Sequence, residues 1–129
     1  MPIDPTQTYL STTPDGDLRT HLGGPAFWAQ PESALAALGH DWLVSEFTFD
    51  ADWAVWEMHP EGDELVYVLD GHATLVLELP DGVREVEIRD RGAVVVPRGV
   101  WHTAKVHAPT RSLHLTRGAG TQHRPVGAA

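Results

Sequence analysis

Between residues 42 and 116, apolar runs of four to eight residues alternate with clusters of glycine, proline and aspartate. This spacing is typical of short β-strands joined by tight turns without long helices. Asp81 and Gly82 separate two such runs, and glycine tolerates the positive φ of a two-residue hairpin turn. The predicted strands cover residues 43–49, 54–59, 64–69, 72–79, 83–88, 93–96, 101–107 and 112–116. We therefore expect an all-β sandwich or barrel.

The two ends of the chain lack this pattern. Prolines and glycines punctuate residues 1–42, which predicts an irregular segment packed on the barrel. A short helix is expected over residues 31–38, because Pro31 suits a first helical turn and Gly39 ends it. Residues 117–129 are rich in glycine and are expected to end loosely. A chain of 129 residues fits one domain, with the barrel at residues 43–116.

Charge and composition exclude several kinds of partner. A formal net charge of −9 argues against nucleic acid and against anionic membrane surfaces. Charges or prolines interrupt every apolar stretch well before the roughly 18 residues of a membrane span, and residues 1–10 lack the pattern of a signal peptide. The chain has no cysteine, so a metal site must use histidine and carboxylate ligands. We expect a cytoplasmic protein without a nucleic-acid or membrane partner.

Two separate stretches carry candidate metal ligands. Glu57 and His59 are two residues apart in a predicted strand, so their side chains share a face. After the turn at residues 60–63, Glu64 opens the neighbouring strand beside His59. Much later, His102 begins a strand whose same-face neighbours are apolar, which predicts a buried imidazole. Three potential ligands are therefore expected at one end of a hairpin, and a fourth is expected to come from a strand that is distant in sequence.

Residues 57–71 resemble the first sequence motif of the cupin family, and residues 92–102 resemble the second. The motif positions are occupied by Glu57, His59, Glu64, Gly71, Gly92, Pro97, Gly99 and His102. The resemblance extends over residues 43–116 and implies a double-stranded β-helix, that is, a jelly-roll barrel. The chain departs from the family pattern in having Glu57 where the first histidine is usual. The gap after Gly92 is one residue short, unless the glycine and Arg91 have exchanged places.

The resemblance implies that His59, Glu64 and His102 bind one metal ion, with Glu57 available as a further ligand. Two carboxylates and two imidazoles suit a divalent transition metal such as Fe, Mn, Ni or Zn. If Glu64 only supports the site, then Glu57, His59 and His102 form a set of two histidines and one carboxylate. Glu57 and Glu64 are also candidate catalytic bases. Because of the departure at Glu57, the sequence determines neither which metal is bound nor whether a metal site has been retained.

The leading functional hypothesis is a metal-dependent enzyme of dioxygenase, isomerase or lyase type that acts on a small polar organic substrate. The alternative is a non-enzymatic module that binds or senses a small ligand, with or without metal. An accessory protein of a biosynthetic pathway is a third possibility. The resemblance also implies a homodimer, to which the first 42 residues could supply an exchanged strand or cover a sheet edge.

Several further side chains are candidates for a role at the site or for its surroundings. His114 alternates with two leucines, so it faces either water or the barrel interior. Arg98 and Lys105 are candidates for an anion contact, although exposed surface explains both. Trp53, Trp56 and Trp101 are expected in the core or in a pocket wall. The remaining histidines are expected in or near surface loops; they are His21, His40, His72, His107 and His123.

Overall fold

The computed structural model describes residues 2–127 and shows an all-β jelly-roll architecture, as predicted. Its elements in chain order are β1 (Thr8–Thr12), β2 (Leu18–Leu22), α1 (Pro25–Trp28), α2 (Glu32–Leu38), β3 (Trp42–Phe49), β4 (Val55–Met58), β5 (Glu64–Leu79), β6 (Gly82–Arg89), β7 (Ala93–Val96), β8 (His102–Arg117) and β9 (Gln122–Pro125). Neither helix is long and apolar enough to cross a membrane. The predicted helix at residues 31–38 corresponds to α2.

Antiparallel pairing organises the strands around β5 and β8. Strand β8 pairs with β3, β4 and β5, while β5 also pairs with β6 and β7. Strands β2 and β1 extend the sheet beyond β3, and β9 extends it beyond β4. The long β5–β8 pair therefore connects the strands on the two sides of the sheet.

The apolar core lies where alternate residues of four strands meet. In β5 the core side chains at positions 66 and 68, and those at 75 and 77, are two residues apart, as the period of a strand requires. The core cluster consists of Val66, Val68, Leu75, Leu77, Ile88, Val96 and Ala104. Each fully buried valine, leucine or isoleucine contributes about 1.5–3 kcal/mol to stability. This cluster therefore holds β5, β6, β7 and β8 together.

Asp70 and Gly71, which separate the predicted strands 64–69 and 72–79, do not form a turn. Residues 64–79 form one strand, with a register irregularity between residues 68 and 73. Gly71 has φ +118°, and a Cβ there would lie 2.5 Å from Thr110 Oγ1. Only glycine permits this close approach of β5 to β8, so the strand bends at a bulge while remaining paired. The predicted strands 101–107 and 112–116 likewise form the single strand β8.

The unusual spacing of the second motif has a structural counterpart at Arg91. Arg91 is the one non-glycine residue with positive φ, 64°, among residues 2–127. Gly92 occupies a crowded position instead, because a Cβ there would lie 2.8 Å from Ile88 Cγ2. The left-handed backbone conformation is thus at Arg91, and the glycine of the motif is the next residue, Gly92.

The N-terminal segment and the tail contain more strand than the sequence predicts. Strands β1 and β2 form a hairpin whose first strand pairs with β3, and Tyr9 and Ser11 of β1 are fully buried. In the tail, β9 pairs with β4. The guanidinium of Arg124 lies over the rings of Trp56 and Trp101, at 5.1 and 4.7 Å from their centroids. These long-range contacts order segments that local sequence leaves undefined; residues 128 and 129 of the expected tail lie outside the described residues.

Candidate metal centre

The turn after β7 joins the two sequence motifs. Gly99 has φ +76°, and its N–H donates to the carbonyl of His59 at 2.9 Å. The next strand, β8, begins with His102, which lies opposite Glu57 of β4 in the antiparallel register. Because this turn fixes the start of β8 against the end of β4, residues more than forty positions apart reach the same point.

The four residues predicted as ligands lie together. His59 Nε2 is 3.5 Å from Glu57 Oε1 and 3.4 Å from Glu64 Oε2. His102 Nε2 is 3.1 Å from Glu64 Oε1. One ligand atom from each of Glu57, His59 and His102 lies within 4.8 Å of the others. Glu64 stands outside this group of three and contacts both imidazoles.

Hydrogen bonds orient the two imidazoles of the site. His102 Nδ1 lies 3.1 Å from the Val100 carbonyl, which can only accept, so Nδ1 carries the proton. His59 Nδ1 lies 2.8 Å from Thr121 Oγ1, whose own hydroxyl proton goes to the Gly118 carbonyl. His59 Nδ1 is therefore also a donor. In the neutral imidazoles both Nε2 lone pairs are thus free for a metal ion, as in known metal sites.

Three buried atoms at this point have no hydrogen-bond partner within residues 2–127. They are His59 Nε2, His102 Nε2 and Glu64 Oε1. Although His102 Nε2 and Glu64 Oε1 are close, they are not aligned as donor and acceptor. An unpaired buried polar atom costs about 1–3 kcal/mol, and one cation would satisfy all three. The donor set, two imidazole nitrogens with two carboxylates nearby, therefore fits a divalent transition metal.

The charges of Glu64 and His102 depend on each other. Burial opposes ionisation of Glu64, but contacts with His102, His114 and His59 outweigh it and hold its pKa well below the usual 4.5. Thr116 also donates to Glu64 Oε2 at 2.6 Å. Burial likewise opposes protonation of His102, but Glu64 and the Val100 carbonyl raise its pKa above 6.5. Without metal and below about pH 6.5, these two residues therefore carry opposite charges.

This pair predicts a stability optimum for the metal-free protein between about pH 4.5 and about pH 6.5. Glu64 has a depressed pKa, so its contribution is present above the unfolded value and is lost as pH falls through the folded value. His102 has a raised pKa, so its contribution is complete below the unfolded value and is lost as pH rises through the folded value. Urea unfolding of EDTA-treated protein at several pH values measures this, and stability that rises steadily above about pH 6.5 would contradict it.

Several residues near the site were not foreseen as part of it. His114, whose direction the alternation left open, is buried, and its Nδ1 lies 3.6 Å from Glu64 Oε2. Thr121 and His123 come from the segment expected to be a loose tail, and His123 Nε2 lies 3.9 Å from Glu57 Oε1. His123 is exposed, as predicted, but it lies in β9 and not in a loop. Strand β9, with the sequence Gln-His-Arg-Pro, contains no β-branched or aromatic residue, so the sequence gives no strand signal there.

Of the other histidines expected in or near surface loops, His40 lies in an exposed turn. His21, His72 and His107 lie in strands β2, β5 and β8 instead of loops. Lys105, considered as an anion contact, pairs with Glu85 at 3.1 Å on an exposed face. Neither Arg98 nor Lys105 lines the cavity at the metal centre.

A cavity of about 1040 Å³ lies directly against the site and is lined in part by Glu57, His59 and Glu64. Trp53, expected in the core or a pocket wall, is one of its lining residues. Much of the wall is apolar and comes from α1, α2 and β3. These apolar residues include Phe27, Trp28, Leu35, Leu38, Leu43, Phe47, Phe49, Trp53 and Val55. The volume suits an organic molecule rather than a lone anion.

Comparison with known proteins agrees with this architecture. The family model described as Cupin domain matches residues 46–116, more than half of the chain. No curated protein matches the sequence. Because all the solved structures below are less than 25% identical, they show the fold alone.

A cupin superfamily protein from Desulfitobacterium hafniense DCB-2 is similar with a TM-score of 0.50 and 21% identity, covering 58% of this chain and 65% of that one. Oxalate decarboxylase from Bacillus subtilis, described with Mn(II) centres, gives 0.55 and 17% identity over 66% of this chain and 24% of its own. Peruvianin-I, a cysteine peptidase from Thevetia peruviana latex, gives 0.55 and 13% over 65% and 56%. This chain thus spans less than two thirds of each.

Proposed function

Because this chain belongs to the cupin domain family, we propose that it is a metal-dependent enzyme acting on a small organic molecule. One observation carries the proposal. His59 Nε2, His102 Nε2 and Glu64 Oε1 converge as unpartnered buried atoms beside a cavity large enough for an organic substrate. Inert cores satisfy such atoms, whereas metal and catalytic sites leave them free.

His59 and His102 would hold the ion together with one or both carboxylates. A bound divalent ion would polarise a carbonyl or carboxylate oxygen of the substrate. The Mn(II) centres of the structurally similar oxalate decarboxylase support manganese as one candidate. Iron, nickel and zinc suit the same donors.

The two carboxylates would have different roles, because their surroundings differ. Glu64 is almost fully buried and is held ionised by its histidine neighbours, so it keeps both imidazoles in place. Glu57 retains 27% of its side-chain exposure and lines the cavity, so it can reach a bound molecule. We therefore assign to Glu57 the transfer of a proton to or from the substrate, as isomerases and lyases require.

The proposal is tested by metal uptake followed by turnover. Purified protein is expected to carry about one transition-metal ion per chain by elemental analysis, or to bind one after EDTA treatment. At a hundred times the dissociation constant, the ion should raise the free energy of unfolding by about 2.7 kcal/mol. If Fe, Mn, Ni, Co, Cu and Zn neither co-purify nor shift the melting temperature, the metal site is disproved. A metal-loaded protein without turnover on keto acids, sugars or flavonoids would favour the ligand-binding alternative.

A further inference from the structure

We propose that the molecule in this cavity is uncharged and mainly aromatic or alicyclic, with one oxygen-bearing group directed at the metal centre. The cavity would reject molecules that carry a second, anionic end. The inference rests on the proposed function for the position of the reacting group. The expectation of an uncharged, aromatic or alicyclic molecule rests on the shape and charge of the cavity wall.

An aromatic strip runs along the cavity from α1 to the metal centre; it consists of Trp28, Phe47, Phe49 and Trp53. Trp28 and Phe47 are stacked with ring centres 6.3 Å apart, and Phe47 and Phe49 with centres 6.0 Å apart. Phe49 and Trp53 follow at 5.3 Å. Trp53 in turn lies 6.3 Å from the ring of His102. A flat apolar molecule placed along this strip would gain aromatic contacts over its whole length.

The charged side chains that line the cavity are acidic. Five carboxylates line it: Glu32, Asp52, Glu57, Glu61 and Glu64. Among residues 2–127, no lysine or arginine lines it. A divalent ion would balance two of the carboxylates, Glu57 and Glu64. Glu32, Asp52 and Glu61, all exposed, would leave the rest of the cavity negative.

This charge distribution opposes an anionic tail. A carboxylate at the far end of a bound molecule would find no cationic side chain and would lie within a Debye length of about 8–10 Å of like charges. An uncharged ring system meets no such cost and gains burial on the aromatic strip.

Part of this selection comes from outside the segment that matches the family. Trp28 lies in α1 and Glu32 in α2, before residue 46, where the family match begins. The N-terminal segment therefore supplies both an aromatic and an acidic part of the wall. The N-terminal segment therefore contributes to substrate choice together with the barrel residues at 47–61.

Two matched probes test the inference, namely 2-naphthohydroxamic acid and its 6-carboxy derivative. They share a metal-binding head and a ring system and differ only in a distal carboxylate. Binding is measured at about pH 8 by calorimetry with zinc-loaded protein and by tryptophan fluorescence with EDTA-treated protein. The uncharged probe should bind at least about tenfold more tightly in both forms, a gap of about 1.4 kcal/mol. Added salt should narrow the gap, because it screens the repulsion.

Variants identify the origin of the difference. Glu61→Gln should improve binding of the carboxylated probe and leave the uncharged probe unchanged. The control Glu85→Gln changes an exposed carboxylate that does not line the cavity, and should affect neither probe. Trp28→Ala should weaken the naphthyl probe and leave acetohydroxamic acid, which has the same head without the rings, unchanged.

The possible outcomes separate this inference from the proposed function. Failure of the protein to take up zinc or another metal would overturn the proposed function, while the metal-free measurement would still decide the inference. A carboxylated probe that binds as tightly as the uncharged one, or more tightly, would overturn the inference in either form. Absence of binding by both probes would overturn it as well.

Discussion

His102→Ala is expected to abolish stoichiometric metal binding, with a loss of affinity on the order of a hundredfold or more. Loss of residues that merely orient metal ligands typically costs 10- to 100-fold, and His102 is itself placed to be a ligand. Its Nε2 is buried and unpartnered, and its Nδ1 proton is held by the Val100 carbonyl. Calorimetric titration with zinc and manganese measures the effect.

The variant should remain a folded β protein, because the turn before β8 is held by backbone bonds and not by the imidazole. Gly99 donates to the His59 carbonyl, and Val100 donates to the Pro97 carbonyl. His107→Ala is the matched control, since this exposed imidazole binds Thr74 on another face. Unchanged metal affinity in His102→Ala, together with an intact β spectrum, would remove His102 from the site.

Glu64→Gln is expected to destabilise the metal-free protein by about 3 kcal/mol at about pH 6, since breaking a buried ion pair typically costs about 3–5 kcal/mol. At that pH His102 carries its proton, because Glu64 raises its pKa above 6.5. The amide cannot balance this charge, and it has one acceptor oxygen where the carboxylate has two. Urea unfolding of the EDTA-treated proteins gives the difference.

Glu57→Gln is the matched control for this prediction. Glu57 is partly exposed and 3.5 Å from His59 Nε2, so its removal should cost less than about 1 kcal/mol. The cost of Glu64→Gln should shrink above the pKa of His102, where the imidazole becomes neutral in both proteins. Equal costs for the two variants, or a cost independent of pH, would show that Glu64 and His102 are not an ion pair.

Most strands of the barrel could be predicted from the sequence, because the patterns that indicate them lie within short segments. A strand period of two identifies strand 83–88, and an apolar run between Gly92 and Pro97 identifies strand 93–96, without knowledge of their partner strands. The same period put Glu57 and His59 on one face, and the turn residues put Glu64 beside them. Motif spacing then added His102. The clustering of these four side chains could therefore be predicted from sequence.

The limits of that prediction lie where long-range pairing decides. Strand β9 has four residues and forms because β4 offers it a free edge. Strands β1 and β2 pair beside β3 for the same reason. The alternation of apolar and polar residues does not tell which face of a strand points into the barrel. The direction of the His114 side chain therefore follows only from the structure, in which β8 lies between β3 and β5 and His114 is buried.

The sequence by itself thus determined an all-β chain with a histidine and carboxylate cluster, since backbone period, turn chemistry and ligand type are written in neighbouring residues. Only the tertiary structure decided that β5 and β8 run unbroken through a bulge at Gly71, that Thr121 orients His59, and that α1 and α2 complete an acidic, aromatic cavity. These features depend on contacts between segments up to about 80 residues apart, such as the bond from Ala119 N–H to the Gly39 carbonyl. Such contacts are selected by the burial and hydrogen bonding of the whole chain, which no single segment encodes.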